Sequence, residues 1–509
     1  MTFLIALIFG AASAFGFEPF ALWPLTVLAF AVLCELIARA PTLKRALLIG
    51  WGFSVGQFCV GLNWIATAFT FQAAMPAWLG WIAVVLLSFY LAAFMMLAAG
   101  LAWKFGRENR LALVLALAGG WAIAEYLRGT MFTGFAWNPV GVALVDTPWR
   151  ATSATIGTYG LSLLIVLAGG MSWLVWRREW RAPLGIVTLL ALLLALPRQS
   201  DLDGMIGAPR IRIVQPNIGQ ADKWREGFDE VTARRLASLS QRPYPRDHGL
   251  AALLLWPEAA VTEPLSDERR AAAPFIDNER ARAVRSLAPG AILVTGGLGL
   301  NARDGVAIDG ATNSVFVLDH GGRLKGRYDK AHLVPYGEYL PLRPILSAIG
   351  LSRLAPGDLD FADGPGPRTI DISGIGRMGL QICYEIIFSG QVVDRRNRPT
   401  FLFNPSNDAW FGAWGPPQHL AQARLRAAEE GIPVIRSTPT GISALIDARG
   451  RLLQSIPLGS AGIIDATLPP PAAELTSFAR LGNIIPLGLA FLLLFAAIAL
   501  ARGPRYRRT

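Results

Sequence analysis

Three side chains in this 509-residue chain have types and placements suited to one reaction. Cys383 follows the apolar run Met378-Gly379-Leu380-Gln381-Ile382 and opens Cys383-Tyr384-Glu385. The other two of the three cysteines, Cys34 and Cys59, fall inside apolar stretches. Cys383 thus has no evident disulfide partner and reads as a nucleophile. Glu258 closes a second apolar run, Leu253-Leu254-Leu255-Trp256-Pro257, where the proline stops a strand ladder and leaves a carboxylate at its carboxyl edge. Lys330 lies between them in the polar and aromatic stretch Arg327-Tyr328-Asp329-Lys330-Ala331-His332-Leu333-Val334-Pro335-Tyr336-Gly337-Glu338-Tyr339, read as a loop stiffened by Pro335 and Pro341. An ammonium beside a thiol and a carboxylate stabilises a thiolate, and later the oxyanion of a tetrahedral intermediate. The four histidines, His248, His320, His332 and His419, show no metal-ligand spacing, so neither metal nor other cofactor is expected. A Cys-His pairing with His332 or His419 as base is the competing arrangement.

These residues need strands to present them. Short runs rich in Ile, Val, Leu and Phe recur at 211–214, 252–255, 292–295, 314–318, 378–382, 401–403, 434–436 and 444–446. Helical patterns at 267–287 and 419–430 separate some of them, so the region reads as a layered α/β domain with a mixed sheet. In such sheets ligands bind beyond the carboxyl ends of the strands, where Glu258 and Cys383 fall.

The rest of the chain is membrane sequence. With 53% hydrophobic residues, the composition exceeds that of a typical soluble protein, and the excess lies at the two ends. A helical span takes roughly 20 apolar residues. Candidates occur at 2–17, 22–37, 46–67, 77–103, 111–127, 154–176, 184–196 and 483–501, about eight in all. Basic clusters at Arg39/Lys44/Arg45, Lys104/Arg107/Arg110, Arg177/Arg178/Arg181 and Arg502/Arg505/Arg507/Arg508 would all be cytoplasmic with both termini inside. That puts the segment from Arg198 to Arg480 on the outer face. Expected domains are therefore an N-terminal membrane block over 1–200, an exported catalytic domain over 208–468, and a C-terminal span over 482–503. The formal charge of +11 is largely topological, and no basic stripe with interleaved aromatics indicates nucleic-acid binding. A transporter is disfavoured, since Glu35 and Glu125 are among few ionisable residues within the spans.

Trp256-Pro257-Glu258, Tyr328-Asp329-Lys330 with His332-Leu333-Val334-Pro335-Tyr336-Gly337-Glu338-Tyr339, Ile382-Cys383-Tyr384-Glu385 and Asn407-Asp408-Ala409-Trp410-Phe411-Gly412 together resemble the nitrilase, or carbon-nitrogen hydrolase, superfamily. Flanked by membrane spans, they resemble in particular its apolipoprotein N-acyltransferase family. The resemblance implies a nitrilase-like αββα sandwich joined to a membrane α-helical bundle. It further implies a Glu-Lys-Cys triad: Glu258 as general base, Lys330 as stabiliser of thiolate and oxyanion, and Cys383 as nucleophile. Glu338 and Glu385 would be supporting carboxylates, and the Tyr384 N–H would complete the oxyanion hole. Family members move an acyl chain from a glycerophospholipid to the α-amino group of an apolipoprotein's N-terminal S-diacylglyceryl cysteine. A bacterial inner-membrane location with the catalytic domain in the periplasm follows, and a monomer suffices. The alternative is a membrane-tethered amidase in which water resolves the thioester.

Substrate contacts are expected from aromatic and apolar segments near the triad. The stretch 340–351, with Leu346 and Ile349, and the stretch 410–415, with Trp410, suit a lid at the lipid headgroup zone. Trp224 matches a family position near the acyl pocket, and Asn407 is placed beside the site. Ile432 stands where the family commonly has arginine.

Overall fold

The computed structural model describes residues 1–71, 76–185, 208–223, 225, 227–244, 252–348 and 360–502. The chain divides into two compact units. One comprises residues 1–66, 80–202 and 476–509; the other comprises 67–79 and 203–475.

The first unit is helical. Four helices are long and apolar enough to cross a membrane: Leu79–Gly106, Arg110–Thr130, Pro148–Trp176 and Ile484–Arg502. Leu43–Gly61 with Ile65–Phe71, bent by 49°, makes a fifth if counted as one span. Thr2–Ser13 has 12 residues and Trp23–Ala38 has 16. At 1.5 Å per residue they reach about 18 and 24 Å, short of the roughly 30 Å hydrocarbon core. By length and composition, four or five of the about eight expected spans are present among the described residues, and most of the expected span at 184–196 lies outside them. Thr2–Ser13 packs closely on Leu43–Gly61: a Cβ on Gly10 would lie 1.8 Å from the Phe53 carbonyl oxygen, so only glycine permits this approach. The two buried glutamates among these helices have partners. Glu35 binds Arg39, Arg177 and the Trp173 indole, and Glu125 accepts from the Trp121 indole and the Val140 N–H.

The second unit holds two sheets, as expected of an αββα sandwich, and both are mixed. The first contains β1 (Arg210–Gln215), β2 (Leu253–Leu255), β3 (Pro264–Asp267), β4 (Ile292–Asn301), β5 (Gly310–Asp319), β6 (Leu324–Asp329) and β13 (Gly462–Thr467), in the order β13-β1-β2-β4-β5-β6 with β3 on β4. The second contains β7 (Thr369–Ile372), β8 (Gly376–Leu380), β9 (Phe401–Pro405), β10 (Val434–Ser437), β11 (Ser443–Ile446) and β12 (Leu452–Ile456), in the order β12-β11-β10-β9-β8-β7. In each, three parallel strands form the centre, β1-β2-β4 in one and β8-β9-β10 in the other, with antiparallel flanks.

Alternation along the strands builds the layers. Ile211, Ile213, Leu253, Leu255, Val294, Val315 and Val317 of the first sheet meet Met378, Leu380, Phe401, Phe403 and Ile435 of the second in one core. The intervening Val214, Leu254, Leu293, Phe316 and Leu318 face the opposite way and are covered by Leu236, Leu239, Ala283 and Val284, from the helices Phe228–Ser240 and Ala273–Val284. The helix Gly415–Glu430 packs on β10 of the second sheet. The unit is thus layered helix, sheet, sheet, helix.

Candidate active site

Glu258, Lys330 and Cys383 each follow the end of a strand: β2, β6 and β8. Gly296 of β4 admits the Trp256-Pro257-Glu258 segment, since a Cβ there would lie 2.4 Å from Ala259 N and 2.6 Å from Glu258 Cα. Its own N–H donates to the Pro257 carbonyl at 3.1 Å. Lys330 is reached directly from β6, so Arg327–Asp329, expected as loop, are strand, and the loop begins only at Lys330. The Lys330 N–H donates to the Asn313 carbonyl at 2.9 Å. Cys383 takes a left-handed backbone, φ +50°, at the head of the 3-10 helix Cys383–Ile387. For a residue bearing a Cβ this costs about 1–3 kcal/mol and persists only where the surroundings enforce it.

The three side chains are buried together: Glu258 is 6%, Lys330 2% and Cys383 5% exposed. Lys330 Nζ lies 3.0 and 2.9 Å from the two oxygens of Glu338 and 3.8 Å from Glu258 Oε1. Burial pulls the ammonium toward neutrality, but Glu338, Glu258 and the sulfur of Cys383 outweigh it and hold it above the ordinary lysine value. Burial, reinforced by the Glu258 carboxylate and opposed by Lys330, lifts the Cys383 thiol well above its usual value. The resting sulfur is therefore a thiol that needs a base to act. The Asn407 main-chain N–H also donates to that sulfur.

Asn313, which pattern reasoning did not single out, ties the carboxylates together: its Nδ2 donates to Glu258 Oε1 at 2.7 Å and to Glu338 Oε1 at 2.8 Å. Glu258 Oε2 makes no hydrogen bond, which leaves one carboxylate oxygen able to take a proton. Glu338 Oε2 accepts from Val334 N at 2.8 Å and folds the loop over the lysine. Glu385 is a clamp rather than a reactant: Oε1 accepts from the Tyr328 hydroxyl and from the N–H groups of Ala331 and His332 at 2.8, 2.8 and 3.0 Å, and Oε2 from Ile382 N at 2.6 Å. It fastens the lysine loop to the cysteine turn. Burial raises its carboxyl to about 7 against these four donors.

His419 is not placed as a base for Cys383. His332 stacks on Phe388 with centroids 3.9 Å apart, and His419 Nε2 meets the Cys383 carbonyl oxygen, not the sulfur, at 3.1 Å. Of the expected substrate residues, Asn407 turns its Nδ2 to Gln220 Oε1 at 3.0 Å and approaches Cys383 through its main chain. Trp410 packs edge-on to Phe71 at 5.6 Å. Leu346 sits half-buried on the short helix Arg343–Ala348, beside exposed Leu342 and Ile345. Trp224 and Ile349 lie outside the described residues. Among the described residues, no group of three or more His, Cys, Asp or Glu is arranged to hold a metal ion.

A buried thiol, a carboxylate with a free oxygen and a paired ammonium lie together at the carboxyl edge of a two-sheet sandwich. Residues 210–477 match the family described as carbon-nitrogen hydrolase, the class to which this sandwich corresponds. Residues 9–171 match the apolipoprotein N-acyltransferase N-terminal domain. Curated relatives called apolipoprotein N-acyltransferase include those of Rhodopseudomonas palustris, 34% identical over 98% of this chain and 95% of the relative, and Bradyrhizobium diazoefficiens, 36% identical over 94% and 91%. The relative from Caulobacter vibrioides is 36% identical over 95% of this chain and 92% of its own. The chain belongs to the apolipoprotein N-acyltransferase family.

Proposed function

We propose that the protein transfers an acyl chain from a glycerophospholipid to the α-amino group of the N-terminal S-diacylglyceryl cysteine of apolipoproteins, through a thioester on Cys383. The observation that carries this reading is the buried contact of Lys330 with both Glu338 and Glu258 beside a thiol too weakly acidic to ionise unaided.

In the first half-reaction Glu258 takes the thiol proton as sulfur attacks the ester carbonyl. Lys330 and the Tyr384 N–H hold the oxyanion; the carbon–oxygen bond breaks, and Glu258 returns its proton to the departing lysolipid oxygen. In the second half-reaction the acceptor's amine attacks the thioester, Glu258 removes the amine proton, and sulfur leaves as thiolate beside Lys330 and is reprotonated. Two easier steps replace one hard one.

The lipid donor requires a membrane setting. In this reading the chain crosses the bacterial inner membrane about eight times, with 1–200 and 482–503 as membrane domains and both termini cytoplasmic. Residues 208–468 act in the periplasm as a monomer. Trp224, Asn407, Trp410, Leu346 and Ile349 contribute to the substrate surface, and exposed Leu342 and Ile345 suit a lipid headgroup zone. The test is donor turnover by purified enzyme with and without a diacylated lipopeptide. Lysolipid release beyond one equivalent only when the lipopeptide is present, with the acyl chain recovered on its amine, is expected. Continued release to free fatty acid without acceptor would instead favour the tethered hydrolase.

A further inference from the structure

A fully buried polar cluster supports the main chain of Cys383 and takes no part in the steps above. His419, on the helix Gly415–Glu430, places Nε2 3.1 Å from the Cys383 carbonyl oxygen, and Asn404 Nδ2 lies 3.4 Å from the same atom. On its other side, His419 Nδ1 lies 3.0 Å from Asp408 Oδ1 and 2.9 Å from an Arg436 guanidinium nitrogen. That nitrogen also reaches both Asp408 oxygens at 2.6 Å, while the other terminal nitrogen of Arg436 donates to Asn404 Oδ1 at 2.6 Å and Ser406 Oγ at 3.0 Å. His419, Arg436 and Asn404 have no exposed surface, and Asp408 is 1% exposed.

The geometry settles which ring nitrogen carries hydrogen. A carbonyl oxygen only accepts, so Nε2 must donate to Cys383. Burial and the Arg436 cation lower His419 to about 4, so the ring is neutral near neutral pH and Nδ1 keeps its lone pair, toward which Arg436 points. The histidine is locked as a one-way donor to a single peptide.

That peptide joins Cys383 to Tyr384. A hydrogen bond received at its C=O increases its amide resonance, which makes the N–H at its other end a stronger donor, as hydrogen bonds in a chain polarise one another. We propose that His419 is a positioning residue for acyl transfer, which fixes the left-handed Cys383 turn and polarises the Cys383–Tyr384 peptide so that the Tyr384 N–H is aimed at the oxyanion. The inference rests on the thioester reading and on Tyr384 as oxyanion donor.

Two reactions of the same sulfur separate this role from a merely structural one. Alkylation of Cys383 by iodoacetamide needs the thiolate but no oxyanion donor, whereas thioester formation from phospholipid needs both. In the full-length enzyme, His419→Leu is expected to slow single-turnover acylation roughly 10²-fold, the scale for losing one oxyanion contact. Its alkylation rate and KM for lipid should stay unchanged. His419→Gln, whose amide can reach the same carbonyl, should recover most of the loss. If His419→Leu does not fold, His419→Asn, which withdraws the donor from Cys383, takes its place. The proposal is overturned if the variants acylate like the wild type, if alkylation and acylation fall by the same factor, or if His419→Gln is no better than His419→Leu. A wild-type enzyme that forms no thioester would overturn the acyl-transfer reading itself, and this inference with it.

Discussion

Lys330 gives its short contacts to Glu338, at 2.9 and 3.0 Å, and stands 3.8 Å from Glu258. Glu338 thereby holds the ammonium away from Glu258 while leaving its charge beside the sulfur. Glu338→Gln should let Lys330 close onto Glu258 and engage the oxygen that takes the proton. Turnover is expected to fall about 10²–10⁴-fold, the range for impaired general base catalysis, with KM for lipid little changed. A loss confined to KM would contradict this assignment.

Asn313 is the second support of the base. Removing its amide in Asn313→Ala takes the hydrogen-bond donor from buried Glu258 Oε1, costing about 1–3 kcal/mol, and leaves Glu338 Oε1 to Lys330 alone. Asn313→Asp adds a third carboxylate to the cluster and should be more damaging still. Thermal unfolding and steady-state rates of the pair would show the order wild type, Asn313→Ala, Asn313→Asp; equal losses would show that charge is not what the site avoids.

Gly296 allows Glu258 its place without touching substrate. In Gly296→Ala the new methyl meets the Glu258 backbone, and relief by a shift of about 1 Å should cost about 10²-fold in turnover. The domain should remain folded, with stability lowered by about 1–3 kcal/mol. Near-normal turnover would mean that the segment carrying Glu258 has slack.

Glu385 links activity to pH through stability. Its carboxyl is raised from an ordinary 4.5 to about 7 in the fold, so between these values the native state binds more protons than the unfolded one. The resulting stability is fully present below 4.5 and lost as pH rises through about 7. Glu385→Gln should remove this component, flattening the fall of melting temperature across that interval relative to wild type. It should also lower stability at every pH, because an amide cannot accept from all four donors. Identical pH slopes would refute the assignment.

Glu258 and Cys383 were readable because each follows a strand that announces itself, and Lys330 was readable from its motif and not from β6, whose end reads as loop. Leu253-Leu254-Leu255 stops at Pro257, and Met378–Ile382 runs straight into Cys383. Asn313 and the cluster beneath Cys383 were not readable, for a common reason. Asn313 lies within β5 among Thr312 and Ser314, and its importance arises only when β5 brings it between Glu258 and Glu338. His419, Asp408 and Arg436 come from an α-helix, a 3-10 turn and a strand, and nothing in their spacing shows that they meet under Cys383. The strand pattern alone did not divide the strands between two sheets, because the edge strand β12 is mostly exposed and β7 is short; the motifs implied that division instead. Two of the expected spans hold helices of 12 and 16 residues, a detail the sequence does not show, since composition reports hydrophobicity and not how far a helix extends before a turn.

The central claim is that Cys383 carries the acyl chain. Intact-mass and peptide mass spectrometry of the enzyme after exposure to a phospholipid of defined chain length tests it most directly. The account expects one acyl group on the peptide containing Cys383, released by hydroxylamine, discharged when a diacylated lipopeptide is added, and absent in Cys383→Ala together with all turnover. Full turnover in Cys383→Ala, or an adduct that the lipopeptide does not discharge, would contradict it.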